Sequence, residues 1–272
     1  KMSKIITALV TGGNQGIGYE ISRQLMATNG VHVLLASRDL TSGKQALEQI
    51  VKQNSNATGE VVQLDVTSDQ SVTNLVNELK RKNTQIDVLI NNAGYATKGS
   101  AINPAIARDT IGVNYFGVRR ITEALLDSGL IPDNRGRIVI VSSQVGVLRT
   151  VEQRVQEFVN IDKLTVSRID EIVTNFIADA TNEDEVAKKG WPKSTYRTSK
   201  IAVNGYGRLL AKDLQSRHIT VNMCCPGWCK TRMGGDHASR TAEEGAKVAV
   251  WLATAQIDGT GGFYFNNNKI EF

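Results

Sequence analysis

Tyr196 and Lys200 stand four residues apart in the stretch Tyr196-Arg197-Thr198-Ser199-Lys200, a spacing that sets phenol and ammonium on one face of a helix. A free phenol, with a pKa near ~10, is a poor acid–base catalyst at neutral pH. An adjacent ammonium should lower that value, which makes the pair a candidate proton-transfer unit; a packed aromatic is the plain alternative for Tyr196. A second candidate lies near the start, in Thr11-Gly12-Gly13-Asn14-Gln15-Gly16-Ile17-Gly18. Glycines between a strand and a helix let the backbone turn sharply and approach a pyrophosphate, whose charge the helix N-terminus meets. The Gly-x-x-x-Gly-x-Gly spacing differs from the commoner dinucleotide fingerprint, and Gly18-Tyr19-Glu20 lacks the Gly-Lys-Ser/Thr ending of an NTPase loop.

About twenty residues beyond the glycines, Ala36-Ser37-Arg38-Asp39 falls where the ribose of a bound adenosine is expected. A carboxylate at the strand end would take the 2′-hydroxyl of NAD. Here that position is small or hydroxylic, and Arg38 can meet a 2′-phosphate, which favours NADP. Asp39 keeps the opposite reading open, because a shift of one position would reverse the preference, and Arg38 as a solvated loop charge is the plain alternative. Farther along come Asn91-Asn92-Ala93-Gly94, Asn114 and Ser142-Ser143.

These residues need a frame to bring them together. Short apolar runs rich in β-branched residues at 5–11, 31–37, 60–64, 86–91, 137–142 and 219–224 read as strands, with 262–265 as a weaker seventh. Helical spacing fills 16–29, 41–53, 69–82, 104–128, 195–215 and 242–254. Fully apolar strands alternating with amphipathic helices predict a parallel sheet covered on both faces, and right-handed crossovers make it doubly wound. The 52 residues between Ser143 and Tyr196 break the rhythm. A charged, helix-patterned stretch at 151–180, with Val155, Phe158, Val159, Leu164, Ile169, Ile172, Val173, Phe176 and Ile177 as its apolar positions, is followed by a shorter polar helix at 182–189. This segment reads either as an excursion packed on the sheet or as a cap over the active site or a partner surface.

Together the motifs resemble the short-chain dehydrogenase/reductase family, in its form with Thr-Gly-x-x-x-Gly-x-Gly, Asn-Asn-Ala-Gly, Ser and Tyr-x-x-x-Lys, in the right order over essentially the whole chain. The long segment before the tyrosine, with Gly190-Trp191-Pro192 ahead of it and Cys224-Cys225-Pro226-Gly227-Trp228 after it, is similar to that of the monomeric carbonyl reductases and the plant menthone and salutaridine reductases. The resemblance implies an α/β, doubly wound parallel sheet of Rossmann type, a single domain over 1–272 with a helical insertion at about 147–192. It implies that Tyr196 gives a proton to a substrate carbonyl oxygen while hydride arrives from NADPH, that Lys200 holds the nicotinamide ribose, and that Ser143 orients the carbonyl. Asn114 would sit at a helix irregularity and hold a water linking Lys200 to solvent; a purely structural role is its alternative, and Ser142 is the residue that could be confused with Ser143.

The same resemblance places Gly12, Asn14, Gln15, Gly16, Ile17, Gly18 and Arg38 on the cofactor, with Asp65 and Val66 as the adenine pair and Asn91, Ala93 and Gly94 on the adenosine side or stabilising the sheet. Pro226, Gly227, Cys229 and Thr231 would meet the carboxamide and phosphates. Carbonyl reductases of this kind often carry a lysine where this chain has Gln15 and an arginine where it has Ser42, so Arg38 would bear most of the phosphate recognition. Tyr95, Ser143, Gln144, Val145, Trp228 and Met233 are expected to line a roomy, mainly apolar substrate pocket suited to cyclic or aromatic carbonyls. In the family, the insertion covers a helix face that simpler members use to build tetramers, which implies a monomer.

Composition agrees with an ordinary globular protein: 41% hydrophobic and 22% charged residues over 272 positions. The net charge of +5 is spread along the chain without a basic run, which suits an anionic small ligand and gives no sign of a nucleic-acid partner. The apolar stretch at 5–10 is too short for a signal peptide core or a membrane span, so the expectation is a cytoplasmic chain with no membrane partner. Cys224, Cys225 and Cys229 cannot build a disulfide framework, and His218 and His237 are isolated, so no metal site is expected. Strand-end packing or a modifiable thiol beside the cofactor are the two readings of the cysteines. The leading expectation is a carbonyl reductase acting on ketones or aldehydes; an NAD-dependent alcohol dehydrogenase and a non-catalytic nucleotide sensor are the alternatives.

Overall fold

The computed structural model describes residues 5–97, 99, 101–148 and 151–272. Residues 1–4, and positions 149 and 150 of the expected insertion, lie outside the described residues. Eight strands form one sheet: β1 (Ile6–Thr11), β2 (Val31–Ser37), β3 (Gly59–Gln63), β4 (Val88–Asn91), β5 (Arg137–Val141), β6 (Thr220–Cys224), β7 (Phe263–Phe265) and β8 (Asn268–Ile270). Their order is β3-β2-β1-β4-β5-β6-β7-β8, parallel throughout except for the antiparallel β7–β8 pair at the edge. The helices are α1 (Gly16–Met26), α2 (Leu40–Gln53), α3 (Asp69–Arg81), α4 (Pro104–Ile111), α5 (Val118–Asp127), α6 (Val166–Asp179), α7 (Glu183–Lys188), α8 (Thr195–Asp213) and α9 (Ala242–Thr254).

The strands are apolar on both faces because both are covered, and their two-residue alternation sorts side chains between two cores. Ala8, Val10, Val33, Leu35, Val88, Ile90, Val139 and Val141 meet Ile21, Leu25, Ile50, Val248 and Leu252 from α1, α2 and α9. Leu9, Leu34, Leu89, Ile138 and Ile140 face the opposite way, toward α3, α4, α5 and α8. The chain leaves β1 toward β2 and β3 on one side, then crosses to β4 on the other. That reversal opens a crevice at the carboxyl ends of β1 and β4, the usual ligand position in such sheets.

Three expectations about elements are corrected. The helix expected at 104–128 is divided by a π-helical turn, Gly112–Gly117, which inserts extra backbone between α4 and α5. The helical pattern at 151–180 resolves into 3₁₀ turns at Gln153–Val159 and then α6, which starts where Thr165 caps it by accepting the N–H of Arg168 at 3.1 Å. Val159, expected on the apolar face, is exposed. The edge strand β8 was not expected.

The segment before Tyr196 packs on α4 and α8. Val155, Phe158, Ile169, Val173, Phe176 and Trp191 join the same core as α8, and a Cβ added at Gly205 of α8 would stand 2.5 Å from Phe158 Cδ1. Asp170 of α6 anchors the segment from the other side: it accepts the Tyr115 hydroxyl at 2.7 Å and pairs with Arg119.

Candidate active site

The glycine-rich turn between β1 and α1 is held by the loop after β4. Thr11 Oγ1 accepts the backbone N–H groups of Asn92 (3.0 Å) and Ala93 (2.9 Å). In return the Asn92 amide donates to Thr11 O at 2.9 Å and Gly12 O at 3.2 Å. Gly12 and Gly16 have φ of +63° and +55°, a left-handed backbone that disfavours a side chain. At Gly18 an added Cβ would lie 2.1 Å from Gly12 O, so only glycine lets α1 approach the strand end this closely.

The donors of this turn differ from those of the other helices. Side chains cap α2, α3, α4, α6, α7, α8 and α9, from Asp39, Ser68, Asn103, Thr165, Asn182, Ser194 and Thr241. At α1 the capping position is Gln15, whose side chain makes no capping bond, and the first turn carries no acid. The N–H groups of this terminus, with the macrodipole behind them, therefore suit an external anion.

At the end of β2, Asp39 is engaged as the cap of α2. Asp39 Oδ1 accepts the N–H of Ser42 at 2.6 Å, a bond that holds its carboxyl below the ordinary range. Arg38 is exposed and, among the described residues, its guanidinium has no hydrogen-bond or ion-pair partner. After β3, the Asp65 carboxylate accepts the N–H and hydroxyl of Thr67 at 2.9 and 2.6 Å. Val66 is buried against Gly117 of the π turn, where an added Cβ would meet its Cγ2 at 2.8 Å.

The π turn turns Asn114 toward the loop after β4. Its Oδ1 accepts the Tyr95 N–H at 2.7 Å, while Nδ2 donates to Tyr95 O at 2.8 Å and Ser199 Oγ at 3.0 Å. Asn114 thus ties the Tyr95 loop to α8. Gly94 lies beside it: a Cβ built there would be 3.6 Å from Asn114 Oδ1 and 3.9 Å from Met233 Cε.

Tyr196 and Lys200 lie in the first two turns of α8, which Ser194 caps. Lys200 Nζ donates to Val141 O at 3.1 Å and lies 5.5 Å from the Tyr196 ring centroid. Burial pushes the ammonium down to about 8. The Tyr196 phenol is pushed up to about 12, mainly by burial and further by Cys225, while a hydrogen bond with Ser143 acts in the opposite direction. Among these causes desolvation is the largest. The serine that reaches Tyr196 is Ser143. Ser142 is buried at the end of β5, its N–H on Cys224 O at 2.7 Å.

The segment after β6 closes the crevice. Gly227 turns it with φ of +80°, and a Cβ added at Gly16 would meet Thr231 Cγ2 at 3.3 Å, so Thr231 faces the glycine-rich turn. Cys229 donates to Pro226 O at 3.3 Å and packs on Gly245, where a Cβ would lie 2.3 Å from its sulfur. All three cysteines are free and buried, and burial pushes the thiols of Cys224 and Cys229 up, which decides for packing. Tyr95, Val145, Trp228 and Met233 are by contrast four of the large apolar side chains left exposed. Trp228 is 57% exposed although its indole N–H is fixed on Gly234 O at 2.9 Å.

A family model described as short chain dehydrogenase matches residues 6–155 and 185–242. The chain is similar to a (+)-neomenthol dehydrogenase of Capsicum annuum, 35% identical over 97% of this chain and 96% of the relative. It is 36% identical to carbonyl reductase [NADPH] 3 of Rattus norvegicus, over 93% and 92% of the two chains. The solved structure of salutaridine reductase from Papaver somniferum superposes with a TM-score of 0.85 at 33% identity, covering 95% of this chain and 99% of that one. This chain belongs to the short-chain dehydrogenase family.

Family membership makes it an oxidoreductase of a kind that works with nicotinamide cofactors. The family match passes over 156–184, a stretch that includes α6. Two contributors to the frame of the site were missed in the sequence, Asn92 and Ser199. The Asn91 amide, expected on the cofactor side or in the sheet, donates to Thr122 Oγ1 at 2.9 Å within the core, and it is Asn92 that holds the glycine-rich turn. Asn92 is named by its place in Asn-Asn-Ala-Gly, but its partners are backbone carbonyls, which no residue type announces. Among the described residues no group of three or more His, Cys, Asp or Glu could hold a metal ion, and no helix is long and apolar enough to cross a membrane.

Proposed function

We propose that the chain is an NADPH-dependent carbonyl reductase acting on bulky, mainly apolar ketones or aldehydes. The observation that carries this is the grouping of Tyr196 with Ser143 and Lys200 at the start of α8, with Tyr95, Val145, Trp228 and Met233 left exposed on the segments that follow β4, β5 and β6. Tyr196, within reach of Ser143 and one helical turn from Lys200, is placed to give a proton to a carbonyl oxygen held by the serine hydroxyl. When bound, a reduced nicotinamide supplies the hydride. Gly12, Asn14, Gln15, Gly16, Ile17 and Gly18 would carry the pyrophosphate, Asp65, Val66, Ala93 and Gly94 the adenosine, and Pro226, Gly227, Cys229 and Thr231 the nicotinamide end. Ser143 would orient the carbonyl with Gln144 beside it, and Lys200 would hold the ribose and return a proton to Tyr196. Asn114 has both amide hydrogens engaged, on Tyr95 and Ser199, so any link through it from Lys200 to solvent runs through its oxygen atoms.

The NADPH preference is supported by an Arg38 guanidinium without a partner among the described residues, beside an Asp39 already committed to capping α2, and by the NADPH reductases among the relatives. Initial rates with NADPH and NADH against isatin, menadione, a cyclic terpenoid ketone and a short aldehyde test the reading. Turnover with NADPH that needs Tyr196 supports it, and NADH winning would return Arg38 to the role of a loop charge. Arg38→Ala is expected to lower kcat/KM for NADPH about 10–100-fold, the worth of one charge-assisted contact, and to leave NADH nearly unchanged.

The α4 and α8 face, which simpler members use for assembly, is covered here by the segment before Tyr196. The chain is therefore read as a monomer, and as cytoplasmic, where three free thiols stay reduced. Light scattering should return the mass of one chain, 29.6 kDa; a tetramer would overturn the inference.

A further inference from the structure

Arg197 follows Tyr196 in the first turn of α8. Its guanidinium donates to Val145 O at 2.6 Å and reaches Val147 O at 3.5 Å. The same group pairs with the Glu152 carboxylate through Nε and Nη2, at 3.3 and 3.2 Å. Two turns farther along α8, on the same face, the Asn204 amide donates to Gly146 O at 3.2 Å. Three successive carbonyls, at 145, 146 and 147, are thus held by side chains of the helix that carries Tyr196 and Lys200.

What these side chains hold is the 3₁₀ turn Gln144–Gly146, which Ser143 starts. Ser143 O accepts the Gly146 N–H at 3.0 Å, and Ser143 Oγ accepts the Val145 N–H at 3.3 Å. Gly146 lies flat on α8, where an added Cβ would stand 2.6 Å from the Lys200 carbonyl carbon. The turn therefore has little room to shift on the helix, and its orientation is set by the donors that grip its carbonyls. A planar guanidinium presents several N–H groups in fixed directions and can serve two carbonyls and a carboxylate at once; a lysine ammonium is a single point donor.

We propose that Arg197 is a positioning residue, which fixes the Ser143 hydroxyl against Tyr196 by clamping the Ser143 turn to α8 and braces that clamp on Glu152, at the entrance to the segment that covers α4 and α8. The proposal rests on the reductase reading for its catalytic consequence, and its structural content stands apart from it. The test combines Arg197→Ala, Arg197→Lys, Ser143→Ala and the Arg197→Ala/Ser143→Ala pair. Rates are measured with NADPH and isatin, and hydrogen exchange over 144–148 is compared between the wild-type protein and Arg197→Ala. Exchange over 144–148 should rise in Arg197→Ala while the middle of α8 is unchanged. Its kcat should fall about 10–100-fold with the KM for NADPH little altered, and Arg197→Lys should recover part of the loss. In the Ser143→Ala background the effect of Arg197→Ala should shrink to less than about twofold. Unchanged exchange, or losses that simply add in the double variant, would overturn the proposal. Absent turnover in the wild-type protein would instead overturn the reductase reading, and the exchange measurement would still decide the clamp.

Discussion

Tyr196→Phe is expected to lower kcat about 10²–10⁴-fold and to leave NADPH affinity within about twofold of the wild-type value. The substitution removes one hydroxyl from a ring that keeps its packing, so the loss reports the proton and not the fold. Ser143 remains in place, because its turn is held by bonds from α8 that do not involve the phenol. Initial rates paired with a fluorescence titration of NADPH separate the two effects. A variant that kept a tenth or more of the wild-type kcat would remove Tyr196 from the donor role.

Lys200→Met is expected to act in opposite directions on activity and stability. The ammonium is buried and has been pushed from the ordinary 10.5 down to about 8. Between these two values the unfolded chain holds a proton that the folded chain has released, so stability rises with pH across that window. Below about 8 both states are protonated and the full cost of the buried charge is present; above 10.5 neither is, and the cost is gone. Methionine removes that cost, which the displacement puts at roughly 3 kcal/mol as an upper bound. The lost bond to Val141 O offsets part of it. Thermal unfolding at pH 7 should therefore show an equal or higher Tm, and the rise in wild-type stability between pH 8 and 10.5 should disappear from the variant. Turnover should fall about 100-fold or more, because the phenol loses the cation that replenishes its proton. In the wild-type protein, reduction should decline as the pH passes about 8, where the ammonium discharges. A variant that loses stability at pH 7 would show that the ammonium's bond to Val141 O outweighs its burial cost.

How far the sequence reaches depends on what kind of partner each residue has. The sheet was legible because its strands are apolar on both faces and its helices keep a 3.6-residue period. The glycine-rich turn was legible because steric demand leaves only one residue type at Gly18. The π turn at Gly112–Gly117 left no mark in the helical period, since one inserted residue only shifts the phase of a pattern that goes on looking helical; the irregularity expected at Asn114 came from the family resemblance alone. Val159 was misplaced for a related reason: the 3₁₀ turns around it wind at three residues per turn, not 3.6. Asn92 and Arg197 were missed because both act on backbone carbonyls, which every residue carries. The direction of the Tyr196 shift depends on how much water reaches the phenol, and spacing alone does not report that.

The two ends of the sheet bear on how the protein behaves when crowded. At one end stands β8, three residues long, with Lys269 in its centre; at the other stands β3, where Glu60 pairs with Lys82 at 3.1 Å. Short, charged margins are poor templates for a further strand. A sheet of this width, apolar through its whole interior, thus offers neighbouring molecules little to pair with at either edge.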